Sequence, residues 1–212
     1  HELVAGEHPF TGNGTVDLAF HHALGDAFDG EVRAIALQAD GKILVGGNFT
    51  YFHHAPAPFI VRLNPDGTRD TSFNVGDGFD SGIATLRVLP NGDIVAGGGF
   101  SNYRNVAANN LVKLSPNGAR VPGFPAANVE GSSGPSDHVG KITPLPNGQF
   151  IISGNFEYYN EHGRRGLARL HADGSLDLAF NSNDGFQGFL IAAESFYDYV
   201  AIRDFALQFD GR

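Results

Sequence analysis

The chain has no cysteine, no methionine and no tryptophan. Without cysteine there are no disulfides, thiolate metal sites or thiol nucleophiles, and the redox compartment cannot be read from cysteine usage. Without methionine the 212 residues, opening at His1, carry no initiator. The expectation is a processed or excised piece of a longer product, with any signal peptide outside it. Long apolar runs are missing too. The best candidate, 186–200, is broken by Gly188, Glu194 and Asp198 and falls short of the roughly 20 residues that span a bilayer, so no membrane insertion is expected. Basic residues are scarce. Fourteen Lys and Arg against 23 Asp and Glu leave a formal charge of −9, which argues against nucleic acid or anionic lipid as partner.

What is abundant is turn chemistry. Twenty-nine glycines and eleven prolines accompany 42% hydrophobic residues, a balance that excludes disorder and points to a turn-dense, all-β globule. The length allows one large β domain or two small ones.

An internal repeat decides between these. An aliphatic residue stands eight positions before the Asp or Asn of a turn pair four times: Val32 before Asp40-Gly41, Ile83 before Asn91-Gly92, Val139 before Asn147-Gly148 and Ile202 before Asp210-Gly211. After the first three pairs comes a second strand with a Gly-rich end (43–49, 94–100 and 151–156). A third strand then leads to a second turn, at Asp66-Gly67, Asn117-Gly118 and Asp173-Gly174. A short fourth strand ends in Phe73, Phe124 or Phe180, and 13–20 matches that ending alone. The two turn glycines are 26 positions apart in each repeat, whereas the connection to the next repeat varies from 10 (Phe73 to Ile83) to 22 positions (Phe180 to Ile202). Fixed spacing belongs to hairpins and variable spacing to exposed loops. Four-stranded antiparallel units of about 50 residues, repeated without helical patterns, predict a β-propeller. A single domain over 1–212, or a fragment of one, would hold three complete blades, at about 32–73, 83–124 and 139–180. A partial or shared blade would combine 1–20 with 202–212, since 1–6 resembles the second-strand run 42–47. The alternative is a window on a longer array.

Residues 32–74 closely, 139–181 well, and 83–124 with drift at Val121, resemble the delta-60 repeat of bacterial β-propeller proteins, usually large and exported. The resemblance implies a propeller and a secreted or cell-surface location in a bacterium. The family has no established activity and no shared catalytic motif, so no catalytic role is carried over.

Three aligned loops between second and third strands bear the candidate ligand-binding residues: Tyr51, Phe52, His53 and His54; Tyr103 and Arg104; Tyr158, Tyr159 and His162. Phe52, Tyr103 and Tyr159 fall at one aligned position. A ring of aromatics with hydrogen-bonding neighbours suits sugar stacking or a protein hot spot. The competing reading is that the rings cap the blade and pack on its neighbour. Nine histidines, among them His21-His22 and His53-His54, with Asp26, Asp29 and Glu161 nearby, bring Zn²⁺ to mind, and Asp77, Asp80, Asp137 and Asp184 in Gly-rich connections bring Ca²⁺. No ligand spacing supports either, so no cofactor or metal is expected. The Gly97-Gly98-Gly99 run opens no helix, and tight packing between blades explains it better than a nucleotide loop. Arg62, Lys113 and Arg169 align on the third strand and are expected to snorkel or pair on blade surfaces.

The leading expectation is a non-catalytic, secreted interaction or assembly module that binds a protein or glycan through the loop face. A polysaccharide-acting enzyme is the second, with paired carboxylates such as Asp29 and Asp80, one of them with a raised pKa. A structural subunit of an extracellular filament or surface layer is the third.

Overall fold

The six turn glycines have no Cβ to clash at positive φ, and all six use that freedom: Gly41, Gly67, Gly92, Gly118, Gly148 and Gly174 lie at φ between 81° and 88°. In the computed structural model, which describes residues 18, 20, 27–125, 129–130, 138–164 and 166–180, these turns join antiparallel strands at the spacing of the repeat. Repeat 1 consists of β1 (Val32–Leu37), β2 (Ile43–Gly47), the short hairpin β3 (Tyr51–Phe52) and β4 (Ala55–Pro56), and β5 (Ile60–Leu63). Repeat 2 consists of β6 (Ile83–Val88), β7 (Ile94–Gly98), β8 (Asn102–Tyr103), β9 (Val106–Ala107) and β10 (Leu111–Leu114). After β11 (Val129–Glu130), repeat 3 consists of β12 (His138–Pro144), β13 (Phe150–Asn155), β14 (Tyr158–Tyr159), β15 (His162–Gly163) and β16 (Leu167–Leu170).

Each repeat builds one antiparallel sheet, in the orders β1-β2-β5, β6-β7-β10 and β12-β13-β16. The all-β expectation holds for the three repeats, whose named elements are all strands. All three first strands carry the same register shift, at Val32/Ala34, Ile83/Thr85 and Val139/Lys141. The fourth strand expected of each repeat is reduced to a single bridge, Leu63 with Arg69, Leu114 with Arg120 and Leu170 with Leu176. In repeats 1 and 3 a carboxylate ends it. Asp70 accepts bonds from the backbone N–H and hydroxyl of Ser72 (2.9 and 2.7 Å), and Asp177 accepts the N–H of Ala179 (2.9 Å), so the chain turns off the sheet.

The core lies between repeats as much as within them. One buried cluster joins Leu44 and Ile60 of repeat 1 to Ile83, Leu86 and Val112 of repeat 2, and a second joins Val95 and Leu111 to Val139, Ile142 and Phe150 of repeat 3. Glycine sets this approach. A Cβ on Gly46 would stand 2.9 Å from both Ile83 and Leu86, and one on Gly97 would stand 2.7 Å from Val139. The next position, glycine in all three repeats, has another reason: a Cβ on Gly47, Gly98 or Gly154 would lie 2.0–2.2 Å from a carbonyl at the start of the repeat's own first strand.

The third-strand cations also tie repeats together, and Arg62 and Lys113 are buried rather than snorkelling on the surface. The Arg62 guanidinium donates to the carbonyl of Pro116 in the second turn of repeat 2, and Lys113 Nζ donates to the carbonyl of Ala172 in that of repeat 3 (3.3 Å). The expected shared blade, 1–20 with 202–212, lies outside the described residues except for Leu18 and Phe20. Phe20 packs against the third buried cluster, which is built from repeat 1.

Candidate functional site

Phe52, Tyr103 and Tyr159 are buried, at 1%, 1% and 0% exposure, and present no ring to a ligand. The loops that hold them are short β-hairpins, and side chains alternate along a strand, so the second residue of β3, β8 and β14 faces inward. Phe52 packs at 5.0 Å from Phe28, which in turn sits 4.7 Å from Phe49, while Tyr103 packs at 4.6 Å from Phe79. The backbone repeats this docking, with bridges from Phe28 to Phe52 and Phe79 to Tyr103, and the pair Val129 with Tyr159. The tyrosine hydroxyls donate to the carbonyls of Gly118 and Gly174 in the second turns of their own repeats. Burial pushes both hydroxyls above the usual tyrosine range, and for Tyr159 the nearby Asp173 carboxylate adds to it. These three rings hold the hairpin to the body of its repeat, which corrects the expectation that they line a ligand site.

One residue earlier the side chains point out. Tyr51 and Tyr158 are 47% and 43% exposed, and Asn102 takes that position in repeat 2. The hairpin tips are two-residue turns in which both residues have positive φ: His53 (48°) and His54 (61°), Arg104 (52°) and Asn105 (60°), Asn160 (48°) and Glu161 (68°). Such type I′ turns favour Asn-Gly, because a side chain in the left-handed region costs about 1–2 kcal/mol. None of the six tip positions is glycine, whereas all six first and second turns of the repeats use it. The sequence marks His53, His54 and Arg104 as chemistry-bearing residues but gives no sign of the strain at which they are held.

The tips differ in how they are tied down. Arg104 donates from Nε to Val75 O (3.1 Å) and from Nη2 to Asn74 O, and its guanidinium lies 5.6 Å from the Tyr103 ring centre. Asn105 Nδ2 donates to Asp77 (2.7 Å). His53 packs edge-on against Phe52 at 4.5 Å, while His54, Glu161 and His162 are exposed.

Between the β3–β4 hairpin and the segment following the second turn of repeat 1 lies a groove of about 740 Å³, lined by Tyr51, Pro56, Arg69, Thr71, Asn74 and Asp77 among others. Arg69 braces it by donating to Pro56 O (2.7 Å), as Arg120 does to Ala107 O (2.7 Å) in repeat 2. The Arg that recurs two positions after the turn glycine is the sequence signal for this wall, and reading the loops alone misses it.

A family model described as a β-propeller domain of unknown function (DUF5122) matches residues 38–73, 89–124 and 145–180. Each match runs from two residues before the first turn pair to the closing phenylalanine, and together they cover half of the chain. The chain belongs to this β-propeller family. The hairpin tips are thus features carried on the propeller repeats, between the second and third strands of each, and the groove lies beside the first of them. No curated protein matches the chain. Among solved structures, that of a protein of unknown function from Bacteroides caccae is similar at 13% identity, covering 70% of this chain and 82% of that one, with a TM-score of 0.23.

In this propeller chain the carboxylates of the expected enzyme site serve local structure. Asp29 accepts bonds from Thr50 Oγ1 (2.6 Å) and the N–H groups of Thr50 (2.7 Å) and Tyr51 (2.8 Å). Asp80 takes the same place in repeat 2, accepting from the N–H groups of Ser101 and Asn102 (both 2.9 Å) and from Asn102 Nδ2 (2.8 Å). The Thr50 hydroxyl and the Tyr51 N–H hold Asp29 below the usual carboxylate range. A catalytic acid needs the opposite shift. Among the described residues no group of three or more His, Asp or Glu side chains converges to hold a metal ion. His21, His22, Asp26, Asp137 and Asp184 lie outside the described residues.

Proposed function

We propose that this chain is a non-catalytic interaction module of a secreted bacterial protein of the delta-60 type, its three repeats forming complete propeller blades, and that it binds a glycan through the β3–β4 hairpin groove. The observation that carries this reading is the set of side chains kept at all six strained tip positions. Strain of this kind persists where the surrounding structure over-determines it, and it clusters at ligand clamps. The groove beside the first tip supplies the chemistry a sugar needs. Tyr51 offers an exposed ring face to a pyranose, and Arg69, Asn74, Asp77 and Thr71 offer donors and acceptors around it.

A glycan-array screen of the full chain, followed by titration calorimetry on the best hit, tests it. Tyr51→Ala is expected to weaken binding about tenfold, the loss of roughly one stacking contact. Binding unchanged by Tyr51→Ala, or no glycan bound at all, would sink the proposal.

A further inference from the structure

One residue links Tyr51 to Arg69 in the groove. Pro56 is paired with Tyr51 across the β3–β4 hairpin, and its carbonyl accepts the bond from Arg69 Nη2 (2.7 Å). The cation is thereby tethered at the strand beside Tyr51, a spacing of about 5 Å. The guanidinium is a planar fork of several N–H donors, and the protein uses only this corner of it. Arg62, Lys113 and Arg169 each lie within 3.2 Å of a carboxylate, whereas the half-buried Arg69 forms no ion pair among the described residues. Two carboxylates stand near the groove, and both are engaged. Asp29 takes the donors of Thr50 and Tyr51, and Asp77 accepts from Asn105 Nδ2.

The three repeats divide these parts unequally. In repeat 2 the brace recurs, with Arg120 donating to Ala107 O (2.7 Å) and Ala107 paired with Asn102, so the cation stands there without a ring. In repeat 3 Tyr158 is paired with Gly163 and is 43% exposed, but Leu176 takes the place of the arginine. Ring and cation meet in repeat 1 alone of the three.

We infer that the groove selects an acidic sugar, a hexuronic acid unit whose ring lies on Tyr51 and whose carboxylate is held by the Arg69 fork, one per chain. This rests on the glycan reading above and names the class of sugar. The carboxyl of a hexuronic acid projects from the edge of its pyranose ring, so stacking on one face leaves both oxygens able to reach sideways. A guanidinium matches such a planar pair of oxygens, and a charge-assisted contact is about twice as strong as a neutral one. The formal charge of −9 opposes an anion at long range. That field is screened beyond about 8 Å at physiological salt, while a partly buried contact pair is screened much less.

Calorimetric titration of the full chain with oligomers of glucuronic, galacturonic and mannuronic acid, each beside its carboxyl-reduced neutral form, tests the assignment. At least one acidic oligomer is expected to bind about tenfold tighter than its neutral form, at one site per chain. Arg69→Gln should bring that pair to equal affinity. Arg120→Gln, which removes the equivalent brace in repeat 2, should leave the preference intact. Equal binding of acidic and neutral forms by the parent chain, or binding of neutral glycans alone, would overturn the acidic-sugar assignment and leave the glycan reading standing. No glycan bound at all would bring down both. A preference that survives Arg69→Gln, or that Arg120→Gln abolishes equally, places the carboxylate elsewhere and also refutes the assignment. So does competition by polyglutamate at the same affinity, which would give the groove to an acidic protein segment.

Discussion

Arg62 is buried, and a guanidinium taken out of water persists only where its donors are met. Nε reaches Asp70 (2.8 Å), Nη1 reaches Gln38 (3.2 Å) and the Pro116 carbonyl, Nη2 reaches Ser72 (3.1 Å), and the cation lies 4.7 Å from the Phe73 ring centre. Lys42 adds a second cation to Asp70 at 2.7 Å. Burial alone would raise the Asp70 carboxyl, but Lys42, Ser72 and Arg62 together pull it well below the ordinary 3.8. A carboxylate depressed on folding contributes stability that is present above its unfolded pKa and is lost as pH falls toward the folded value. Asp70→Asn is therefore expected to cost about 3 kcal/mol at neutral pH, and the gap to the parent should narrow below about pH 4. Urea melts at several pH values check both; a constant gap down to about pH 2 would contradict the assignment. Part of this network was legible in the repeat alignment. Val121 breaks the Asp70 and Asp177 column, yet the carboxylate reappears at Asp93, in the column of Lys42 and Gln149, and pairs with Lys113 at 3.2 Å. The direction in which Arg62 and Lys113 reach, into the next repeat, was not legible, because a one-dimensional pattern carries no partner across a sheet.

The hairpins show where pattern reading works and where it slips at the level of elements. The aligned aromatics correctly marked a recurring structural position, and the neighbouring polar residues marked the tips. The inference from aromatic to exposed failed because these segments are strands two residues long, and period-2 alternation sends adjacent rings to opposite sides. Burial of Phe52 and exposure of Tyr51 follow from one backbone. The tips carry a stability prediction with a built-in contrast. His54→Gly and Glu161→Gly relieve a left-handed side chain at exposed positions and are each expected to add about 1 kcal/mol, or roughly 3 °C in Tm. Arg104→Gly relieves the same conformation but removes the bonds to Asn74 and Val75 and the contact with Tyr103, so it is expected to destabilise. Thermal melts of the three variants decide the matter. If His54→Gly and Glu161→Gly destabilise as well, the tips are not strained and their side chains lose their claim to a binding role.

For the whole molecule, the consequence of placing the core between repeats is that no sheet is stable alone. Each repeat covers the first strand of the next, and the small residues at the contact are one route by which cooperativity can pass. Gly97 tests that coupling. Its Cβ would stand 2.7 Å from Val139 Cγ1, 2.9 Å from Thr85 Cγ2 and 3.0 Å from Val139 Cβ, and neither valine atom is the far end of a flexible chain. Gly97→Ala is expected to cost about 2 kcal/mol by forcing repeats 2 and 3 apart. Gly99 is exposed and has nothing within 4 Å of such a Cβ, so Gly99→Ala serves as the near-neutral partner. The shape of the transition says more than its midpoint. If repeats are coupled through this contact, Gly97→Ala should broaden the melt or split it into two steps, with the β12 sheet separating from the β6 sheet. A single sharp transition merely shifted to lower temperature would mean that the bridges from Lys113 to Ala172 and from Phe124 to the Gly174 turn carry the coupling without help from the glycine contact.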